Sequence, residues 1–82
     1  MAYEVVVSAT AARQVAGTPA AARTALADVL EQLAANPWSG EPYDTRWSPE
    51  FRTITFGSGG LATYVISERR HTVLVEQVIW TG

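Results

Sequence analysis

With 82 residues the chain has room for one small domain, residues 1–82. Such a domain buries only about 60–65% of the surface its unfolded form exposes, so a single well-packed core must supply the stability. Cysteine is absent and histidine occurs once, which excludes a disulfide framework and a thiolate metal site and leaves only scattered carboxylates for a metal. Six arginines, no lysine and eight acidic residues give a formal charge of −2, so a broad electrostatic grip on nucleic acid is not encoded and any phosphate contact must be local. No apolar run approaches the roughly 18 residues of a membrane span, and the N-terminus lacks the basic and apolar regions of a signal peptide. The expectation is a soluble, cytoplasmic protein with no membrane partner, metal or cofactor.

In chain order, YEVVVS at residues 3–8 places three β-branched valines together and predicts a short strand. Ser8 can cap the helix that follows, ATAARQVA, and Gly17 suits its end. Thr18-Pro19 predicts an immediate restart, with Thr18 as N-cap and Pro19 at the first helical position. In this longer helix Ala22, Leu26, Val29, Leu30 and Leu33 keep the i, i+3, i+4, i+7 spacing of a stripe laid on a sheet, and Asn36-Pro37 stops it. Residues 38–50 (WSGEPYDTRWSPE) read as an ordered loop whose rings, Trp38, Tyr43 and Trp47, are expected to close the end of a small core; the alternative leaves one exposed for a partner.

Residues 51–80 read as three strands, FRTITF, LATYVIS and TVLVEQVIW, joined by Gly57-Ser58-Gly59-Gly60 and by Glu68-Arg69-Arg70-His71, and so as an antiparallel meander. Period-two alternation puts Arg52, Ile54 and Phe56 on one face, and Ala62, Tyr64 and Ile66 likewise. In the last strand the uncharged set Val73, Val75, Gln77 and Ile79 is the expected buried face, with Leu74, Glu76, Val78 and Trp80 opposite. The fold class is α+β, in the order β-α-α-β-β-β: a helical hairpin packed on one face of a four-stranded, mainly antiparallel sheet.

This order resembles the RelE/ParE superfamily of toxins from bacterial toxin-antitoxin modules. The likeness runs through YEVVVSATAARQVAGTPAAARTALADVLEQLAANP and FRTITFGSGGLATYVISERRHTVLVEQVIW, nearly the whole chain. Phe51-Arg52 falls on the family's apolar-Arg pair opening its second strand, Gly57 in its tight turn and Tyr64 on the tyrosine of its third strand. The resemblance implies a type II toxin with an antitoxin partner, similar to metal-independent, ribosome-dependent endoribonucleases that cleave mRNA and block translation. A ParE-like toxin that inhibits gyrase without chemistry, or a degenerate protein-binding domain, is the alternative.

Departures from the pattern point to an altered active site. Many relatives open the third strand with arginine and end the fourth in His-Arg, where this chain has Leu61 and Trp80-Thr81. Attack by a 2′-hydroxyl is helped by a base, an acid and cations around the phosphate, none of which these residues supply. The candidates left for catalysis are Arg52 and Tyr64, and for RNA binding Arg46, Arg52, Arg69, Arg70 and Trp80. Arg52 can hold a phosphate through two N–H bonds or pair structurally with Glu50 or Glu76. His71 reads as a solvated turn residue or an acid-base group, Arg69-Arg70 as a charged turn, and Trp80 as packing or as a ring stacked on a base, on the face of Glu76. Ser58 has no evident base nearby to make it a nucleophile.

Overall fold

The valine run extends as predicted, forming β1 (Glu4–Val7) with Val5 and Val7 turned to the core and Val6 to solvent. The computed structural model describes residues 2–81. Ser8, extended at φ −64° and ψ 160°, then works in two directions. Its Oγ accepts the Ala11 N–H at 3.0 Å, capping α1 (Ala9–Ala16), and its hydroxyl donates to the Glu76 carbonyl at 3.0 Å. The long helix α2 (Ala20–Ala35) starts one residue later than the sequence suggests. Pro19, with ψ 158°, occupies the cap position, and the Thr18 hydroxyl turns back to donate to Val15 O at 2.7 Å, finishing α1 rather than capping α2. The expected stripe is present: Ala22, Leu26 and Leu33 are buried, with Val29 and Leu30 packed beside them.

Asn36 ends α2, and its side chain accepts the Trp38 N–H, heading a single 3-10 turn at Pro37–Ser39. Four strands follow: β2 (Glu41–Pro42), β3 (Phe51–Phe56), β4 (Gly60–Ser67) and β5 (Thr72–Trp80). The sheet therefore has five strands rather than four, in the order β1-β5-β4-β3-β2. Its extra member is a two-residue edge in the aromatic loop, where Glu41 pairs with Thr53 and Pro42 with Arg52. An edge is the place where proline's missing N–H breaks no ladder. β1 runs parallel to β5, and the remaining pairs are antiparallel. Gly57, at φ +60°, makes the tight turn between β3 and β4.

One irregularity decides the faces of β5. Tyr64 pairs with Val75 and Thr63 with Gln77, so Glu76 is an extra residue that shifts the alternation. Val73, Val75 and Val78 are buried, whereas Gln77 and Ile79 are exposed, which reverses the expected parity for the second half of the strand. The groups that this bulge frees are taken up by α1. β1 ends too early to pair them, and Ser8 donates to Glu76 O while the Gln14 side chain accepts the Val78 N–H at 2.7 Å. The core lies between the helices (Ala11, Ala22, Leu26, Leu33) and one face of the sheet (Phe56, Ala62, Tyr64, Ile66, Val73, Val75, Val78). The opposite face carries no helix among the described residues.

Candidate functional site

Arg52 and Tyr64 come together as direct cross-strand partners on β3 and β4, on the side that faces the helices and the 3-10 turn. Tyr64 is fully buried (0% exposed); its hydroxyl donates to Pro37 O at 2.7 Å and accepts the Gly40 N–H at 3.2 Å. Gly40 passes so close that a Cβ there would lie 2.4 Å from both the Tyr64 hydroxyl and Thr53 O. The Arg52 guanidinium donates to Pro49 O at 3.0 Å and Gly40 O at 2.7 Å, grazes Trp38 O at 3.5 Å, and lies 5.1 Å from the centroid of the Trp38 ring. Its Nε is buried without a hydrogen-bond partner. Burial pushes the Tyr64 phenol above its ordinary pKa, with the Gly40 N–H and Arg52 pulling the other way. The phenol is therefore neutral near pH 7, with its proton held by a backbone carbonyl. In this arrangement Arg52 and Tyr64 fasten the 3-10 turn and the start of the aromatic loop over the end of the core.

A second polar node adjoins the first and was not found from sequence. The Glu68 carboxylate accepts the Tyr3 hydroxyl at 2.8 and 2.9 Å and Trp38 Nε1 at 3.1 Å, and the Tyr3 ring stacks on His71 at 3.8 Å and 19°. The hydrogen bond to Glu68 raises the Tyr3 pKa. Tyr3 and Glu68 are 65 residues apart, and no local pattern announces a bond of that span. His71, in the left-handed region at φ 57°, is thus a stacked turn residue.

The face without helices is apolar where the sequence left room for cations. The register aligns Val6, Leu74, Val65 and Phe51 in one row across β1, β5, β4 and β3. Tyr43 stacks on Phe51 at 4.6 Å, and Trp47 meets both rings edge-on at 6.0 and 5.5 Å. A further row joins Ile79, Leu61 and Thr55. Val6 is 43%, Leu74 37%, Ile79 44% and Trp47 56% exposed, so Tyr43 and Trp47 extend this face instead of closing the core, while Trp38 stays on the helix side against Arg52 and Glu68. Arg46 is held by Asp44 at 2.8 Å, which also keeps that carboxyl below its usual range, and Arg69 and Arg70 stand on the β4–β5 turn. Trp80 does not share a face with Glu76 as the alternation suggested. The bulge turns it to the helix side, where it stacks on Phe56 at 5.8 Å and closes over Gly57. Arg52 meets carbonyls, not Glu50 or Glu76.

No family model and no curated protein sequence matches the chain. Solved structures do. A chain of the intact E. coli RelBE toxin-antitoxin complex superposes with a TM-score of 0.82 at 21% identity, covering 99% of both chains. E. coli RelE in complex with a peptide of the antitoxin RelB gives 0.83 at 20% identity over 100% of this chain and 86% of that one. The M. tuberculosis RelBE2 toxin-antitoxin complex gives 0.77 at 22% identity over 99% of this chain and 93% of that one. The two helices on a mixed sheet, in this order and over this length, are the fold of the RelE toxins.

Proposed function

We propose that the protein is the toxin component of a type II toxin-antitoxin pair and that it acts by binding through the open face of its sheet, without cleaving RNA. The observation that carries this reading is the row Val6–Leu74–Val65–Phe51 with its aromatic extension, a contiguous apolar patch in which Val6, Leu74, Tyr43 and Trp47 are exposed and Val65 and Phe51 half-buried, of the kind that marks a protein contact. The RelE fold supports the toxin assignment and an antitoxin partner, since neighbours at TM-scores of 0.82 and 0.83 are toxin-antitoxin complexes. Leu61 and the inward positions of Arg52 and Tyr64 support a mode of action without chemistry, because cleavage needs cations and proton-transfer groups around one phosphate. In this reading the protein is cytoplasmic and its target, on the ribosome or on gyrase, is a protein surface.

The runner-up, an mRNA endoribonuclease with a rebuilt site, draws on the side-by-side placement of Arg52 and Tyr64, with Arg46, Arg69, Arg70 and Trp80 as its RNA contacts. Controlled expression in bacteria separates the two. The expected result is growth arrest without new mRNA ends on ribosomes, lost in Leu74→Asp and relieved by co-expression of the antitoxin gene. New mRNA ends that vanish in a folded Arg52→Lys variant would establish cleavage instead.

A further inference from the structure

The sheet has two edges, β2 and β1, and their sequences treat them differently. β2 is two residues long and contains Pro42, whose missing N–H and fixed φ discourage a further strand. β1 carries three β-branched valines, no proline, no bulge and a single charge at its first position, Glu4. Its parallel ladder uses alternate residues: the Glu4 N–H donates to His71 O at 3.0 Å and the Ser8 N–H to Val75 O at 2.9 Å, so the backbone of Val6, between them, also faces β5. Val5 and Val7 therefore turn both N–H and C=O outward, and none of the bonds among the described residues takes these groups up. Their side chains point at the core yet are only half-buried, as they are at an edge with nothing beside it.

We propose that β1 pairs antiparallel with β1 of a second copy of this chain, about a two-fold axis at Val6, joining two five-stranded sheets into one. Opposed residues of an antiparallel pair share a face, so Val5 or Val7 must stand opposite the partner's Val5 or Val7. With Val5 opposite the partner's Val5, Tyr3 would have to serve the partner's Val7, but the Tyr3 N–H already donates to Ala34 O at 2.8 Å. With Val7 opposite the partner's Val7, Val5 would meet the partner's Ala9, the first residue of α1. Val5 opposite the partner's Val7 avoids both conflicts: each such pair exchanges both N–H···O bonds, and every outward group of Val5 and Val7 is used. Val6 then meets the partner's Val6 across the axis on the open face, which joins the two rows Val6–Leu74–Val65–Phe51 end to end. Glu4 stands opposite the partner's Ser8, the N-cap of a helix whose first turn has no acidic residue and whose end favours a carboxylate. The two Glu4 residues lie ~13 Å apart along the ladder, beyond the reach of a strong repulsion between exposed charges at physiological salt. A second copy is the occupant, rather than an unrelated strand, because a two-fold repeat of these four residues satisfies the spacing of outward groups, the apolar centre and the charge placement at once.

Sedimentation equilibrium of the full chain tests the pairing. The mass of the wild type should rise from 8.9 kDa towards twice that value as concentration increases, with a Kd of about 10 µM for so short a contact. Val6→Lys and Val6→Glu each set like charges on the axis and should raise the Kd by about tenfold, while an equimolar mixture of the two should pair as well as the wild type, since this position meets itself only in this register. Val6 is exposed, so both variants should keep the wild-type circular dichroism. The chain has no cysteine, so Val6→Cys supplies a lone thiol at the axis, where the cross-strand spacing suits a disulfide. In a glutathione buffer Val6→Cys should oxidise to a covalent dimer, and Leu74→Cys, one strand further from the axis, should not. A wild type that stays at 8.9 kDa up to about 100 µM overturns the proposal. So does a dimer that Val6→Lys leaves intact, a Lys and Glu pair of variants that fails to associate, or Leu74→Cys cross-linking as readily as Val6→Cys.

Discussion

The two sides of the sheet use their side chains in opposite ways. On the helix side, beneath residues 37–40, the groups with the richest chemistry (Arg52, Tyr64 and the Trp38 indole) are engaged with Pro37, Gly40, Pro49 and Glu68. On the open side, Val6, Leu74, Ile79 and the Tyr43–Trp47 pair face solvent. A ribonuclease would have this reversed, with cations outside and apolar groups within. The contrast teaches that residue types rich in chemistry can be spent on holding a loop to the core. Their hydrogen-bond partners decide whether they are tools or fasteners.

The contrast can be broken most severely at Tyr64. Replacing it with alanine empties a buried aromatic site and should cost about 4 kcal/mol, enough to unfold much of a domain this small; urea denaturation measures it. Tyr64→Phe keeps the ring but leaves the Pro37 carbonyl and Gly40 N–H unpaired, a loss of about 1–2 kcal/mol in the same experiment. Arg52→Ala frees the carbonyls of Pro49 and Gly40 and should cost about 2 kcal/mol, with Arg52→Lys recovering part of it. If Arg52→Ala left stability untouched while abolishing biological activity, the fastening role would be wrong.

A pH titration sharpens the comparison. The phenols of Tyr64 and Tyr3 hold their protons more tightly in the folded protein than in the unfolded chain, Tyr64 through burial and Tyr3 through Glu68. Their contribution is therefore complete below the unfolded pKa of about 10 and is lost as pH rises through the higher folded values. Melting temperature should fall on the alkaline side, less so in Tyr64→Phe. The smallest effects belong to the open face. Leu74→Thr removes an exposed side chain and should move stability by no more than about 0.5 kcal/mol, while removing the growth arrest.

Much of the fold was legible because local signals agreed with the final packing. The stripe of α2, the Ser8 cap, the Asn36-Pro37 stop and the Gly57 turn all follow from spacing and backbone preference. What was not legible depended on distant partners. The alternation of β5 reads continuously in sequence, whereas the extra Glu76 that sends Gln77 and Ile79 outward and Trp80 inward has its neighbouring backbone groups satisfied by Ser8 and by Gln14 of α1, more than 60 residues away. Shared parity put Arg52 with Ile54 and Phe56 correctly, yet nothing local said that the 3-10 turn would cover that side. The two-residue β2 carries too little pattern to register as a strand.

The parallel pairing of β1 with β5 sets a schedule for the chain. Val6 meets Leu74, and Tyr3 meets Glu68 across 65 residues, so β1 waits for β5. The helices and the β3–β4 hairpin rest on nearer contacts and have the means to form earlier, whereas closing the sheet carries the largest loop entropy. A chain still emerging from the ribosome therefore lacks the row Val6–Leu74–Val65–Phe51 until β5 is out. The open apolar face thus comes into existence only once β5 has been made and has paired with β1 and β4, the step with the widest sequence separation in the molecule.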